Sequence, residues 1–590
     1  SEITTTQVVK AIGDKAEDTH RVEVPFSVIA PKKDEMWSLS TTDKVAIPLG
    51  RSGATKLQNL TLGRGTAQHA LIAGKTGSGK STLLHVLITN LALWYSPDEV
   101  EFYLVDFKKG VEFKTYATHK LPHARVVAVE SDREFGISVL QKIDTELKRR
   151  GELFRDLGVQ DIAGFRNKSD DVMPRILLIV DEFQEFFIDD DRVAQEANLL
   201  LDRLVRQGRA FGIHAIMGSQ TLDGAYSLNR STMGQMAVRV ALQCSEADSY
   251  IILNEDNAAA RLLSRPGEAI YNDAAGKVEG NSPFQIVWLN EELREQYLKD
   301  LVEKDGNKNR ELVVYEGNQP VHLHENDAFQ KANADGKKVS FKAWLGGAMA
   351  IKEDTAATFR IASGSNLLIV GQQDETTTSL VANAMCSLGK QCTFSNTSLT
   401  LMDGTPSDSP HATVLKEVAE TIGCTTTMVG IREVDKAMQD LHAQLQQRMT
   451  DGAADLPTVF LVINALHRFR DLRRNEDDFG FSTDEDKQKT PAQILAELIK
   501  EGPPLGMHVI IATDTLANLN RALDRQGIRE FDMRVLLQMG GNDSTNLIDS
   551  PDASRLGMHR ALLYSEETGT IEPFRPYALP DLSALASSNA

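Results

Sequence analysis

No stretch of the 590-residue chain holds about 18 consecutive apolar positions, so nothing in it is expected to span a membrane. It also shows no secretory leader pattern. Cysteine is scarce. Cys244, Cys386, Cys392 and Cys424 have no zinc-ligand spacing and form no dense disulfide framework, so they read as small buried apolar residues in a reducing compartment. Positive charge is in deficit as well: 64 Lys and Arg stand against 83 Asp and Glu, a formal charge of −19. That balance argues against a protein that coats nucleic acid, though it leaves room for a local basic strip. The remaining composition, 41% hydrophobic and 25% charged, is that of an ordinary globular protein, and the length is too great for one core. The first residue is Ser1, which suggests a fragment of a longer protein, with any membrane anchor or further module lying outside it.

The stretch with the most chemistry in it is Gly74-Lys75-Thr76-Gly77-Ser78-Gly79-Lys80-Ser81-Thr82, which fits G-x-x-x-x-G-K-[ST]. It follows the apolar run His69–Ala73 and precedes the helix-like Leu83–Ile88. Glycines at those positions let the loop curl its backbone N–H groups toward phosphate oxygens, and the following helix adds its positive end. Lys80 is then expected to reach the β- and γ-phosphates of ATP, with the Ser81 hydroxyl on Mg²⁺.

Around this loop the chain alternates strands and helices. Residues 1 to about 19 are polar and expected to fray, and 22–29 and 44–49 read as short strands. Glu99–Asp106 reads as a strand buried on both faces and ending in a carboxylate. Phe107–Phe113 carries two lysines, placed either near nucleotide, at a subunit edge, or in a plain solvated loop. A helix is expected over 132–157, with Lys148-Arg149-Arg150 facing outward. Ile176–Phe183 is a five-residue apolar strand tipped by Asp181 and Glu182, a Walker B pattern. Asp181 is expected to hold the metal through water, and Glu182 to deprotonate the attacking water. A second strand, Ile213–Gln220, brings Gln220 toward the γ-phosphate as a sensor.

Together GKTGSGKST, LVDFKKG, ELKRRGELFRDLGVQDIAGFR, LLIVDEF and RLVRQGRAFGIHAIMGSQ resemble the FtsK/SpoIIIE branch of the FtsK–HerA ring ATPases, over about Leu49 to Leu289. The resemblance implies a RecA-like fold, a hexameric ring, and movement of a polymer through its pore. It also implies nucleotide sites completed by a neighbour's arginine, for which Arg209 and Arg239 are the candidates here. One departure is Thr221-Leu222, where DNA translocases of the family carry Arg-Pro after the glutamine.

The order of elements then recurs roughly 300 residues on. Asn366–Gly371, Leu399–Gly404, Val459–Ile463, Gly506–Asp514 and Met533–Gln538 stand where the first unit has its P-loop strand, its Asp106 strand, Walker B, the Gln220 strand and Val238–Gln243. The chemistry does not recur. The loop reads GQQDETTTS, with Thr376 and Thr377 replacing Gly79 and Lys80, with Asp374 and Glu375 set to repel phosphate, and with Asn464-Ala465 replacing both Walker B carboxylates. An acidic insert over 473–486 reads as a solvated loop, and the chain stops soon after Leu579, leaving no winged helix.

The expected fold is α/β: two tandem RecA-like P-loop NTPase domains, each a mostly parallel sheet with helices on both faces, the second degenerate. Their expected boundaries are a leader over 1–48, an active domain over 49–289, a linker over 290–338 and the degenerate domain over 339–590. The function expected first is a cytoplasmic ATP-driven ring motor on double-stranded DNA. The alternative, favoured by the acidic charge and the missing winged helix, is the coupling ATPase of a type VII-like secretion system acting on a protein substrate. A nucleotide-gated scaffold is third, opposed by the intact Lys80, Asp181 and Glu182.

Overall fold

The computed structural model describes residues 23–108, 112–221, 230–306, 308–334, 340–392, 396–422, 424–451, 456–474 and 488–587. The polar N-terminal stretch, Lys109–Val111, Leu222 and most of the acidic insert lie outside them. The chain divides into two compact units, Ser1–Asn318 and Gln319–Ala590.

The strands of the first unit are β1 Val24–Pro25, β2 Val45–Ser52, β3 Lys56–Leu62, β4 Ala70–Ala73, β5 Val100–Asp106, β6 Ala124–Val129, β7 Arg175–Asp181, β8 Ile213–Ser219, β9 Val238–Leu242, β10 Glu268–Asn272, β11 Ser282–Trp288 and β12 Val313–Glu316. They form one sheet in the order β12-β6-β5-β7-β8-β4-β9-β10-β11-β2-β3, with β1 beside β11. From β12 to β9 every neighbouring pair is parallel. Beyond β9 the order continues antiparallel to β3. The central strands β4, β7 and β8 are buried at every residue, as continuous apolar runs require when helices cover both faces. The main helices are α1 Lys80–Trp94, α2 Arg133–Leu157, α3 Arg192–Gln207 and α4 Glu291–Lys304.

The second unit contains β13 Ser340–Ala348, β14 Thr355–Arg360, β15 Leu367–Val370, β16 Thr397–Asp403, β17 Thr425–Val429, β18 Thr458–Asn464, β19 Met507–Thr513, β20 Met533–Leu536, β21 Ala561–Ser565 and β22 Thr570–Pro576. Their order, β14-β13-β22-β21-β20-β15-β19-β18-β16-β17, is that of the first sheet without counterparts of β12 and β1. The run from β20 to β17 is parallel and the rest antiparallel. Its main helices are α5 Asp374–Gln391, α6 Val434–Asp451 and α7 Pro491–Glu501. Alternation along β15 separates the two faces: Leu367 and Ile369 pack with α5, while Leu368 and Val370 pack with α6 and α7.

The stretch 290–338, expected as a linker, is instead shared between the units. Leu298 and Leu301 of α4 are buried in the first core, and β12 extends that sheet beside β6. From Gln319 onward the chain belongs to the second unit, where Val321 bridges to Tyr577 and Phe329 packs edge-on against Trp344.

The two units share internal anchors that the sequence pattern did not disclose. Arg150, expected on an outward face, is 1% exposed and donates to the carbonyl of Phe211 at 2.8 Å; Arg448 is 5% exposed and donates to Leu505 at 2.7 Å. Each carbonyl lies two residues before a central strand, and each is followed by a glycine at positive φ, Gly212 and Gly506. A second anchor precedes the P-loop strand. His69 Nδ1 accepts from the Ala215 N–H at 3.0 Å, and its Nε2–H donates to Val205 O at 3.0 Å. In the second unit Asn366 does both: its Oδ1 accepts from Val509 N–H at 2.8 Å and its Nδ2 donates to Ile499 O at 2.9 Å.

This arrangement needs a neutral imidazole, and burial pushes His69 down to about 4. Because the folded value lies below the unfolded one, its contribution is complete above pH 6.5 and fades as the pH falls toward 4. His69→Asn is therefore expected to keep both hydrogen bonds and to lose about 2 kcal/mol less than the parent between pH 7 and 5. Denaturant melts at the two pH values check this, and an equal acid loss in both proteins would refute it.

Candidate functional site

The P-loop sits at the C-terminal end of β4, in the crevice where open α/β sheets bind ligands. Gly74 N–H donates to Ser219 O at 3.3 Å and Lys75 N–H to Gln243 O at 2.9 Å, which ties the loop to the ends of β8 and β9. Gly79 has φ 104°, and a Cβ there would stand 3.0 Å from the Gly267 nitrogen, so only glycine fits. The resulting curl opens on a pocket of about 370 Å³, lined by Lys75, Thr76, Gly77, Lys80, Ser81 and Thr82 from the loop and α1. Lys108 and Gln220 line it as well.

At its base lies a buried charge cluster. Lys80 is 4% exposed; its ammonium contacts Asp181 Oδ1 and donates to Glu182 Oε1 at 2.7 Å. Glu182 follows β7 in the left-handed conformation, at φ 53° and ψ 47°, a strained state for a non-glycine residue. Its other oxygen accepts from Gln184 Nε2 at 2.8 Å and from Gln220 N–H at 3.0 Å. Burial raises the Asp181 carboxyl above its ordinary value against the pull of Lys80. Burial also acts to raise Glu182, but Lys80 and its hydrogen bonds prevail and leave it lowered. Gln220 meets the loop directly, its Oε1 accepting from Thr76 Oγ1 at 2.9 Å.

Three neighbours were not singled out from the sequence as site residues. Asp106 ends β5 opposite Asp181, and burial pushes its carboxyl up to about 8. Glu112 accepts from Ser81 Oγ at 2.9 Å and is held down to about 2 by the hydrogen bond from His85. His85 lies one turn beyond Ser81 on α1, and burial pushes its imidazole below the ordinary value against the pull of Glu112. The only signals available were a strand-end aspartate and a glutamate inside LVDFKKGVEF.

The two arginine candidates part company. Arg239 is 6% exposed and donates to the carbonyls of Met236 at 2.6 Å, Ile252 at 2.8 Å and Met233 at 2.9 Å. Arg534 in the second unit binds Phe531 and Leu547, the same offsets of three back and thirteen on. Arg239 is thus an internal anchor, and the finger expectation is corrected for it. Arg209 is exposed and precedes β8, at the end of the sheet opposite the P-loop. A seven-residue strand puts it about 20 Å from its own loop, so any nucleotide it meets belongs to another copy.

The corresponding place in the second unit is closed. Helix α5 begins at Asp374, the position of Gly77, so helix replaces the glycine curl. The cavity there is about 40 Å³. Ala465 nevertheless keeps φ 55° and ψ 53° at the position of Glu182.

Residues 39–223 match the FtsK/SpoIIIE family model. The match falls within the first unit. In sequence the chain is 31% identical over 282 residues to the DNA translocase FtsK of Streptococcus pyogenes serotype M3, covering 45% of this chain and 33% of that protein. It is 30% identical over 260 residues to the ESX secretion system protein EccC of Geobacillus thermodenitrificans, covering 42% of this chain and 17% of that one. The chain thus spans at most about a third of the length of these relatives. In fold it is similar to the cytoplasmic domain of the type VII secretion ATPase EccC of Thermomonospora curvata, with TM-score 0.67, 17% identity, and coverage of 96% of this chain and 70% of that one. ATPases 2 and 3 of the same protein, in complex with a signal sequence peptide, give TM-score 0.55 at 17% identity over 95% and 99% of the two chains. Both units accordingly share the fold of these tandem domains.

If Arg239 is an anchor, Arg239→Ala leaves buried carbonyls unpaired and lowers stability by about 3 kcal/mol or more in urea melts. Arg209→Ala leaves the melts unchanged. A stable Arg239→Ala protein would contradict the anchor assignment.

Proposed function

We propose that this chain is the motor segment of an ATP-driven protein-secretion machine, with chemistry in the first unit and none in the second. The observation that supports a protein cargo is architectural. Both units, including the closed second one, are matched in fold across 96% of the chain by a type VII secretion ATPase, while in sequence the DNA translocase and the ESX secretion protein match 45% and 42% of it. The net charge of −19 points the same way. Double-stranded DNA is the second reading, favoured by the 31% identity of the first unit to FtsK.

In this reading ATP enters over Gly74–Thr82, and its phosphates draw the Lys80 ammonium out of its pairing with Asp181 and Glu182. Glu182 is released as general base: it takes a proton from the attacking water as the new oxygen–phosphorus bond forms and ADP leaves. Gln220, bonded to both Glu182 and Thr76, reports phosphate occupancy to the end of β8. Ser81 and Asp181 would hold Mg²⁺, which would supply positive charge to the phosphates when bound. Arg209 from an adjacent copy in a hexameric ring completes the site. The second unit is a pseudo-ATPase that serves as scaffold or partner surface, because its loop is helical and its Walker B carboxylates are Asn464 and Ala465. The setting is cytoplasmic, with any membrane attachment supplied by other modules.

ATP turnover is expected to rise with a helical secretion-signal peptide and not with duplex DNA. In Glu182→Gln it is expected to fall about 100-fold or more. Stimulation by DNA alone would transfer the cargo assignment to DNA, and turnover equal in parent and variant would refute catalysis at Glu182.

A further inference from the structure

Two carboxylates beside the P-loop belong to neither Walker motif. Asp106 is fully buried at the tip of β5, and its strand register sets it opposite Asp181. Its Oδ1 accepts from Lys108 N–H at 2.9 Å, but among the described residues its Oδ2 has no hydrogen-bond partner. An unpartnered buried carboxylate oxygen beside a second buried carboxylate is costly, and a purely structural residue would be expected to shed it.

The second unit keeps an aspartate at this position, Asp403, and changes the residue opposite it. There Asp403 faces Asn464 across the same register, and the amide donates to Asp403 Oδ1 at 3.1 Å. Thr405 supplies two more donors to the same oxygen, at 2.9 and 2.6 Å. The fold therefore accepts an amide at one of these two positions, and the acidic pair survives only in the unit with an open P-loop.

Glu112 shows the same association. It accepts a hydrogen bond from the Ser81 hydroxyl at 2.9 Å, while His85 Nε2–H steadies its other oxygen at 3.3 Å and Tyr116 O–H holds the far ring nitrogen at 2.8 Å. A serine hydroxyl that offers a lone pair to a cation still carries a proton that needs an acceptor, and Glu112 is that acceptor. Counting on from Gly371, the second unit has Ala382 in place of His85.

We propose, on the basis of ATP binding at the first P-loop, that Asp106 and Glu112 are positioning residues for the divalent cation. Glu112 turns the Ser81 lone pair toward the ion, and Asp106 accepts hydrogen bonds from its water shell. Among the described residues no three His, Cys, Asp or Glu side chains stand close enough to cage a metal. That suits Mg²⁺, which keeps several waters and is held by few protein ligands plus phosphates.

The test uses the full chain with ATPγS and Mn²⁺, read by electron paramagnetic resonance, in parent, Asp106→Asn and Glu112→Gln. Half-saturating Mn²⁺ is expected to rise about tenfold in each variant. ATPγS affinity in EDTA is expected to stay at the parent value, and thermal melts are expected to show both variants folded. Unchanged Mn²⁺ half-saturation would overturn the proposal. So would a proportional loss of metal-free ATPγS binding and melting temperature, which marks a structural role. Failure of the parent to bind ATPγS at all would instead refute the nucleotide-binding reading on which the proposal rests.

Discussion

A buried ammonium between two buried carboxylates organises the first unit. Lys80 opens α1, Asp181 and Glu182 close β7, and all three are within 5% of full burial. In such surroundings an unpaired charge is far more costly than the pair. The cluster therefore locks the P-loop, the Walker B tip and, through Gln220, the end of β8 into one arrangement. Incoming phosphates can displace it only by offering Lys80 an equal or better anion. In the proposed reading, nucleotide binding and release of Glu182 are thus one event rather than two.

The second unit shows what remains when that cluster is removed. Strand order, the buried arginine anchors and the positive-φ residue after the Walker B strand all persist. The glycine curl does not, because Asp374, Glu375 and Thr376 are compatible with helix where Gly77 and Gly79 are not. The left-handed Ala465 holds no carboxylate, so its strain has no local chemistry to serve. It is explained by the sharp exit from β18 that both units share.

The comparisons divide along the same line. Sequence identity near 30% is confined to about 45% of the chain, whereas the fold likeness runs over 96% at 17% identity. Phosphate chemistry demands particular residues at particular places. A parallel core demands only apolar runs of the right length and alternation, which many sequences satisfy.

The same distinction separates what could be read along the chain from what could not. The loop glycines, Lys80, Asp181, Glu182 and the two-fold repeat were legible because each depends on local spacing. A continuous apolar strand ending in a polar turn announces its own place in the middle of a parallel sheet, with its tip at the ligand-binding end. Arg150 and Arg239 were misread because a guanidinium on a helix or strand looks outward until the carbonyls it meets, dozens of residues away or across a turn, are brought to it. Asp106 and Glu112 were passed over as site residues for a similar reason: their neighbours Asp181 and Ser81 are distant in sequence and close only once β5 lies against β7 and α1 packs over both. The junction near Asn318 was equally hidden, since β12 is a weak strand whose pairing with β6 is set by an existing sheet edge. Local pattern thus determined the elements and the loop and strand-tip residues that meet at the first unit's pocket. Only the folded chain decided which buried charges face one another, because electrostatic partners are chosen by distance in space, to which sequence order is blind.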